Sequence, residues 1–139
     1  MIHDAPVILY AVETPDGRVK IGQTRSLAQR VRKILSKHKA PVRLVAAFRA
    51  YPLDEIALHR RLNAPRGRTW PSIGSEVYDR ADVASWLDAL PAEHRRDVLI
   101  PHGGQRAKGT PRRDLGALRD LTSALLATGQ QPAAAPRTE

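Results

Sequence analysis

The chain opens on two short apolar runs, Val7-Ile8-Leu9-Tyr10 and Val19-Lys20-Ile21-Gly22, separated by Thr14-Pro15-Asp16-Gly17. Apolar stretches on either side of a Pro-Asp-Gly turn predict a β-hairpin. Pro15 pre-sets φ, Asp16 tolerates the bridge conformation, and Gly17 supplies a left-handed residue. With Gly17 as a G1 bulge, Thr14 pairs with Arg18, Val12 lies opposite Lys20, and Tyr10 lies opposite Gly22. Side chains alternate with period two, so Tyr10 and Lys20 are expected on one face of the hairpin.

After the hairpin the period changes. Leu27, Val31, Ile34, Leu35 and His38 recur at helical spacing and predict a helix from Leu27 to about His38, with Ser26 as N-cap and Pro41 beyond its end. Val42 to Phe48 reads as a third, buried strand. Pro52, the acids Asp54 and Glu55, and the bases Arg60 and Arg61 mark the two ends of a second helix. A loop rich in Gly, Pro and Arg (64–74) leads to Ser75-Glu76-Val77-Tyr78. A third helix over about 81–90 turns Trp86, Leu87 and Leu90 inward, and Pro91 is expected to close the compact part. The fold class is thus α/β, a small three-stranded antiparallel sheet flanked by helices.

The pattern then fades. Residues 101–111 are Gly-rich and basic, as a flexible linker would be. Leu115, Leu118, Leu121 and Leu125 suggest one amphipathic helix near 112–127, and 130–139 is rich in Pro and Ala. The expected organisation is an arm over 1–6, a domain over 7–92, and a basic tail over 93–139. The tail helix can dock on the core, dimerise or add contacts to a partner; the tail is expected to add affinity and not chemistry.

Composition narrows the function. The chain has 139 residues, no cysteine, a net charge of +9 and a pI near 10.8. Without cysteine there is neither a disulfide framework nor a thiolate metal site. No apolar run reaches membrane-spanning length and no signal sequence opens the chain, so a soluble, cytoplasmic protein is expected. Between Asp16 and Asp54 there is no acid, and that gap holds ten Lys and Arg residues, from Arg18 to Arg49. Like charges this dense repel unless something anionic neutralises them, which points to nucleic acid more than to a solvated surface.

Four elements in one order carry a family likeness: Leu9-Tyr10, Lys20-Ile21-Gly22-Gln23-Thr24, Ser26-Leu27-Ala28-Gln29-Arg30-Val31, and Glu76. Together they resemble the GIY-YIG endonucleases, especially the branch of phage and mobile-element proteins. That branch continues with Glu-x-x-Leu-His and a Glu before aromatic or apolar residues, here Glu55-Ile56-Ala57-Leu58-His59 and Glu76-Val77-Tyr78. The likeness covers about 7–90. It implies a metal-dependent DNA endonuclease that uses one magnesium ion, acts on DNA with RNA an open alternative, and takes no organic cofactor.

Carried onto this chain, the resemblance gives Tyr10 the activation or orientation of the attacking water. Arg30 stabilises charge on the phosphate, Glu76 holds the metal, and Gly22 lets the backbone bend behind the site. The sequence departs from the family pattern in having Lys20 for the second signature tyrosine, Ile34 where a histidine often stands, and no asparagine after Glu76. A lysine beside a phenol is expected to lower its pKa and can also hold a phosphate.

The residues have their own chemistry beside that likeness. Arg30 lies about 40° from Ile34 at 100° per residue, at the edge of the apolar stripe, from where its planar fork can reach a phosphate or simply snorkel. Tyr10 can equally be a core tyrosine, and Glu76 can pair with a neighbouring arginine. One protein carboxylate is a common way to hold magnesium when phosphate and water complete its octahedron. Glu76 is expected to be the only one, because Asp54 and Glu55 open a different helix. His59 is a weaker catalytic candidate, since it can bond Glu55 across one turn. Arg25, Lys33, Lys37, Arg66 and Arg68 are the expected nucleic-acid contacts. The alternative is a catalytically silent nucleic-acid-binding module of the same fold; a third is an interaction protein whose charge serves an acidic partner.

Overall fold

In the computed structural model, which describes residues 5–67, 76–102 and 113–127 (without the side chains of Arg66 and residues 113–115), the hairpin forms in the expected register. Gly17 has a φ of 81°, and the Thr14 N–H donates to the Arg18 carbonyl at 2.8 Å. β1 (Val7–Glu13) and β2 (Arg18–Thr24) pair antiparallel, with Tyr10 opposite Gly22 and Val12 opposite Lys20.

The sheet is wider than expected. β3 (Val42–Ala50) adds to β1, β4 (Val77–Asp79) to β2, and β5 (Arg95–Ile100) to β3. The order is β4-β2-β1-β3-β5, and each of these pairings is antiparallel. The expectation of three strands is therefore corrected to five among the described residues, and the folded part runs past Pro91. β5 escapes pattern reading because Arg95-Arg96-Asp97 opens it and only Ile100 is buried, as an edge strand with little apolar alternation allows.

β1 is apolar for most of its length because it lies at the centre of the sheet with a layer on each side. On one side Ile8, Tyr10 and Val12 meet Leu27, Val31, Ile34 and Leu35 of α1 (Leu27–His38). On the other, Leu9 and Ala11 share a cluster with Leu58 of α2 (Pro52–Asn63) and with Val83 and Leu87 of α3 (Arg80–Ala89). Each large aliphatic chain fully withdrawn from water contributes about 1.5–3 kcal/mol.

Helix ends differ in detail from expectation. Ser26 occupies the N-cap position of α1 but makes no side-chain cap bond. Instead the Thr24 hydroxyl accepts from the Ser26 N–H at 3.0 Å and donates to its carbonyl at 3.1 Å. α1 stops at Lys39, which takes a φ of 54° and returns its N–H to the Leu35 carbonyl.

The leucine helix of the tail is α4 (Arg113–Leu126), and it docks. Leu118 is 2% exposed within the cluster beneath α1, with Leu121, Leu125 and Leu126 packed against it. The Thr122 hydroxyl accepts the Leu27 N–H at 3.3 Å, covering one open donor at the start of α1. Among the described residues no helix is long and apolar enough to cross a membrane. The expected linker beyond residue 102, the 130–139 segment, most of the N-terminal arm and Arg68 lie outside the described residues.

Candidate functional site

Hairpin register and helix phase bring three of the matched residues to one wall. Lys20 on β2, Arg30 on α1 and Glu76 just before β4 line a cleft of about 560 Å³, together with Arg18, Lys33 and Lys37. Five Lys and Arg side chains thus face two acids, Glu76 and Asp16, across one concave surface. Arg30 is half-buried beside Ile34, also on the cleft wall, as its place at the edge of the apolar stripe predicts.

Tyr10, expected beside Lys20, Arg30 and Glu76, does not line the cleft: it is 1% exposed and belongs to the core cluster that packs on α1. Burial pushes its phenol well above the ordinary range; the Arg30 guanidinium opposes that rise, and Glu76 and Glu55 add to it. The sequence points to Lys20 as the cation that lowers this phenol, yet Arg30 is the one that acts on it. At neutral pH Tyr10 is a neutral hydroxyl group.

Gly22 serves the site by absence. A Cβ built on it would meet the Tyr10 hydroxyl at 2.5 Å and the ring carbon bearing it at 2.8 Å. Its φ is not in the left-handed region, so what the structure requires of this glycine is room for the phenol.

Glu76 joins two sides of the sheet edge. From the cleft, the Lys20 ammonium approaches its carboxylate at 3.6 Å. From the other side come Glu55 and His59, whose ligating atoms and that of Glu76 all lie within 4.8 Å of one another. The expectation that no second acid reaches Glu76 is therefore corrected. Glu55 does open a different helix, but α2 lays its Glu55-His59-Asn63 face against the end of β4, and the helical i, i+4, i+8 spacing puts all three side chains there.

That face is a buried polar network. The Asn63 amide donates to the Tyr78 hydroxyl at 3.0 Å and to the His59 carbonyl at 2.7 Å. His59 Nδ1 lies 2.5 Å from the Tyr78 hydroxyl, and Nε2 lies 3.0 Å from a Glu55 oxygen. With Asn63 donating to its oxygen, Tyr78 can give its own proton to Nδ1, leaving Nε2–H to donate to Glu55. The His59 and Tyr78 rings are nearly parallel, tilted by 10°. Sequence reasoning misses Asn63 and Tyr78; the one signal for Asn63 is its place a turn beyond His59.

The other expected contacts divide. Lys33 and Lys37 face the cleft. Arg25 instead donates to the Pro6 carbonyl. The Arg66 side chain and Arg68 lie outside the described residues. The donor set fits a divalent cation, since two carboxylates and an imidazole from two different segments converge beside the basic cleft. No family model, no curated protein and no solved structure matches the chain.

Proposed function

We propose that the chain is a metal-dependent DNA endonuclease of GIY-YIG type, hydrolysing a phosphodiester by in-line attack of water. The observation that carries this reading is the meeting of Lys20, Arg30 and Glu76 on one basic cleft. A solvated charged surface has no reason to gather five cations around two carboxylates on one concave wall.

In this reading Arg30 grips the scissile phosphate with its planar fork and meets the charge that grows on it. Lys20 holds a phosphate oxygen and gives up its ion pair with Glu76. Tyr10, neutral and buried, acts on the site from within the core, through its neighbours Arg30 and Glu76, and not as the base. Glu76 holds a divalent cation, magnesium in the family the sequence resembles, which when bound supplies Lewis-acid stabilisation of the phosphate. Lys33, Lys37 and Arg18 anchor the flanking backbone. The products are a 5′-phosphate and a 3′-hydroxyl.

A specific observation favours a second reading, that of a silent nucleic-acid-binding module. The Lys20–Glu76 ion pair already occupies the carboxylate, and burial keeps the Tyr10 proton in place. The two readings separate on supercoiled plasmid incubated with magnesium and then with chelator, beside gel shifts for wild type and Glu76→Gln. The nuclease reading expects nicking by wild type alone, abolished by chelator, with the variant binding DNA at least as tightly. Equal binding with no cleavage by either protein leaves the binding module.

A further inference from the structure

The structure assigns a three-ligand cation site to Glu55, His59 and Glu76, one that takes a first-row divalent transition ion in preference to magnesium. This inference rests on the nuclease reading for its purpose, a metal at Glu76, and on the packing of α2 against β4 for its ligands.

Glu55 is 6% exposed, and its carboxylate meets the His59 ring. A carboxylate so far from water needs a compensating charge, and Lys20 reaches Glu76, not Glu55. The spacing suits ligation. Neighbouring ligand atoms about a small divalent ion, each at about 2.0–2.1 Å and at right angles, stand about 3 Å apart. His59 Nε2 and the Glu55 oxygen are separated by 3.0 Å. Glu76, half-exposed on the cleft wall, has its ligating atom within 4.8 Å of the other two, on the side open to solvent and phosphate, and a small side-chain adjustment brings it to the shared ion.

The surroundings match what a ligating histidine needs. With Nε2 turned to a cation, Nδ1 carries the ring proton and donates it to the Tyr78 hydroxyl at 2.5 Å. Tyr78 is itself held by Asn63 at 3.0 Å. An outer partner of this kind fixes the tautomer and the ring plane. Imidazole nitrogen discriminates strongly among metals: it suits the later first-row ions and adds little for magnesium, which prefers oxygen. The nitrogen in this donor set is what tips it away from magnesium.

The test is calorimetric titration of the untagged full chain, free of DNA, with Co²⁺ and with Mg²⁺, while the visible spectrum of Co²⁺ reports nitrogen ligation. Wild type should bind one Co²⁺ about tenfold or more tightly than Mg²⁺. Glu55→Gln and Glu76→Gln should each weaken both metals about tenfold or more. His59→Gln should weaken Co²⁺ by that factor and leave Mg²⁺ nearly unchanged. Because His59 is fully buried and its replacement can unfold the domain, Tyr78→Phe is the companion: it keeps the ring, removes the Nδ1 partner, and should weaken Co²⁺ about 10–100-fold.

Co²⁺ affinity unchanged by Glu55→Gln and by Tyr78→Phe would overturn the assignment, as would a wild type with no preference for Co²⁺. Plasmid cleavage run in parallel keeps the two readings apart. A wild type that binds Co²⁺ as described yet leaves plasmid intact with either metal ends the nuclease reading and keeps the site. A Glu55→Gln variant with wild-type cleavage and wild-type Co²⁺ affinity ends the site and keeps the nuclease.

Discussion

The Tyr10 hydroxyl occupies the space where a side chain on Gly22 would begin, 2.5 Å from an ideal Cβ. The two residues face each other across the β1–β2 ladder, in the same register that sets Lys20 opposite Val12. Gly22→Ala is expected to cost about 1–3 kcal/mol, the usual penalty for overpacking a closed core, read as a drop in urea midpoint. Tyr10→Phe should relieve only part of that, because the ring carbon still stands at 2.8 Å. A double-mutant cycle should show coupling between the two positions; strict additivity would mean that the phenol is not what Gly22 accommodates.

Burial also makes Tyr10 a source of alkaline sensitivity. Its folded pKa lies above its unfolded one, which is about 10. Below about pH 10 the phenol is protonated in both states and its contribution is intact. Above that the unfolded chain releases the proton while the folded chain retains it, so stability falls as pH rises toward the folded value. Tyr10→Phe should therefore lose stability less steeply than wild type between about pH 9.5 and 11.5. Parallel slopes in urea melts across that window would contradict the desolvated phenol.

Some of this arrangement is legible in the residues and some is not, for physical reasons. Pro15, Asp16 and Gly17 specify a turn geometry, and the turn fixes the register, so the opposition of Tyr10 to Gly22 follows from local chemistry alone. The phase of Arg30 follows from helical spacing in the same way. Glu55 beside Glu76 does not, since it depends on how α2 settles against β4, by tertiary packing between segments far apart along the chain. β5 is hidden by its own edge position, where charged side chains replace the alternation that marks an inner strand. Thr122 as the cover for the Leu27 N–H is hidden too, because no local rule links residues so distant in sequence.

Of the places the sequence leaves open to the tail helix, α4 takes the one on the core. Leu118 is as buried as the core strands, and Ile100 of β5 lies fully within the same cluster. Leu118→Ala should cost about 2–5 kcal/mol, as removal of a buried leucine does. A chain ending at Pro91 lacks both residues and uncovers the face formed by Ile8, Val12 and Val42; dispersed amide resonances should disappear. A folded, well-dispersed spectrum from residues 1–91 would show that the three central strands and α1 suffice.

The cleft predicts a division of labour among its cations that salt dependence can read. Lys33 and Lys37 are exposed on α1 and face the cleft, so each should reach a phosphate of the flanking backbone. Replacing either with Ala should weaken binding of all sequences alike and flatten the salt dependence of affinity by about one unit for each phosphate no longer neutralised. Arg25 points to the Pro6 carbonyl instead, and Arg25→Ala should leave that slope nearly unchanged. Arg30 is different again: half-buried and close enough to act on Tyr10, it is placed for the reacting phosphate and not for the flanking backbone. Arg30→Ala should lower single-turnover cleavage by roughly 10²–10³ with the fold intact, while changing the salt slope no more than Lys33→Ala does. Should cleavage by Arg30→Ala match wild type, transition-state stabilisation must come from another residue, and Lys20, paired with Glu76 on that wall, is then the cation to replace next.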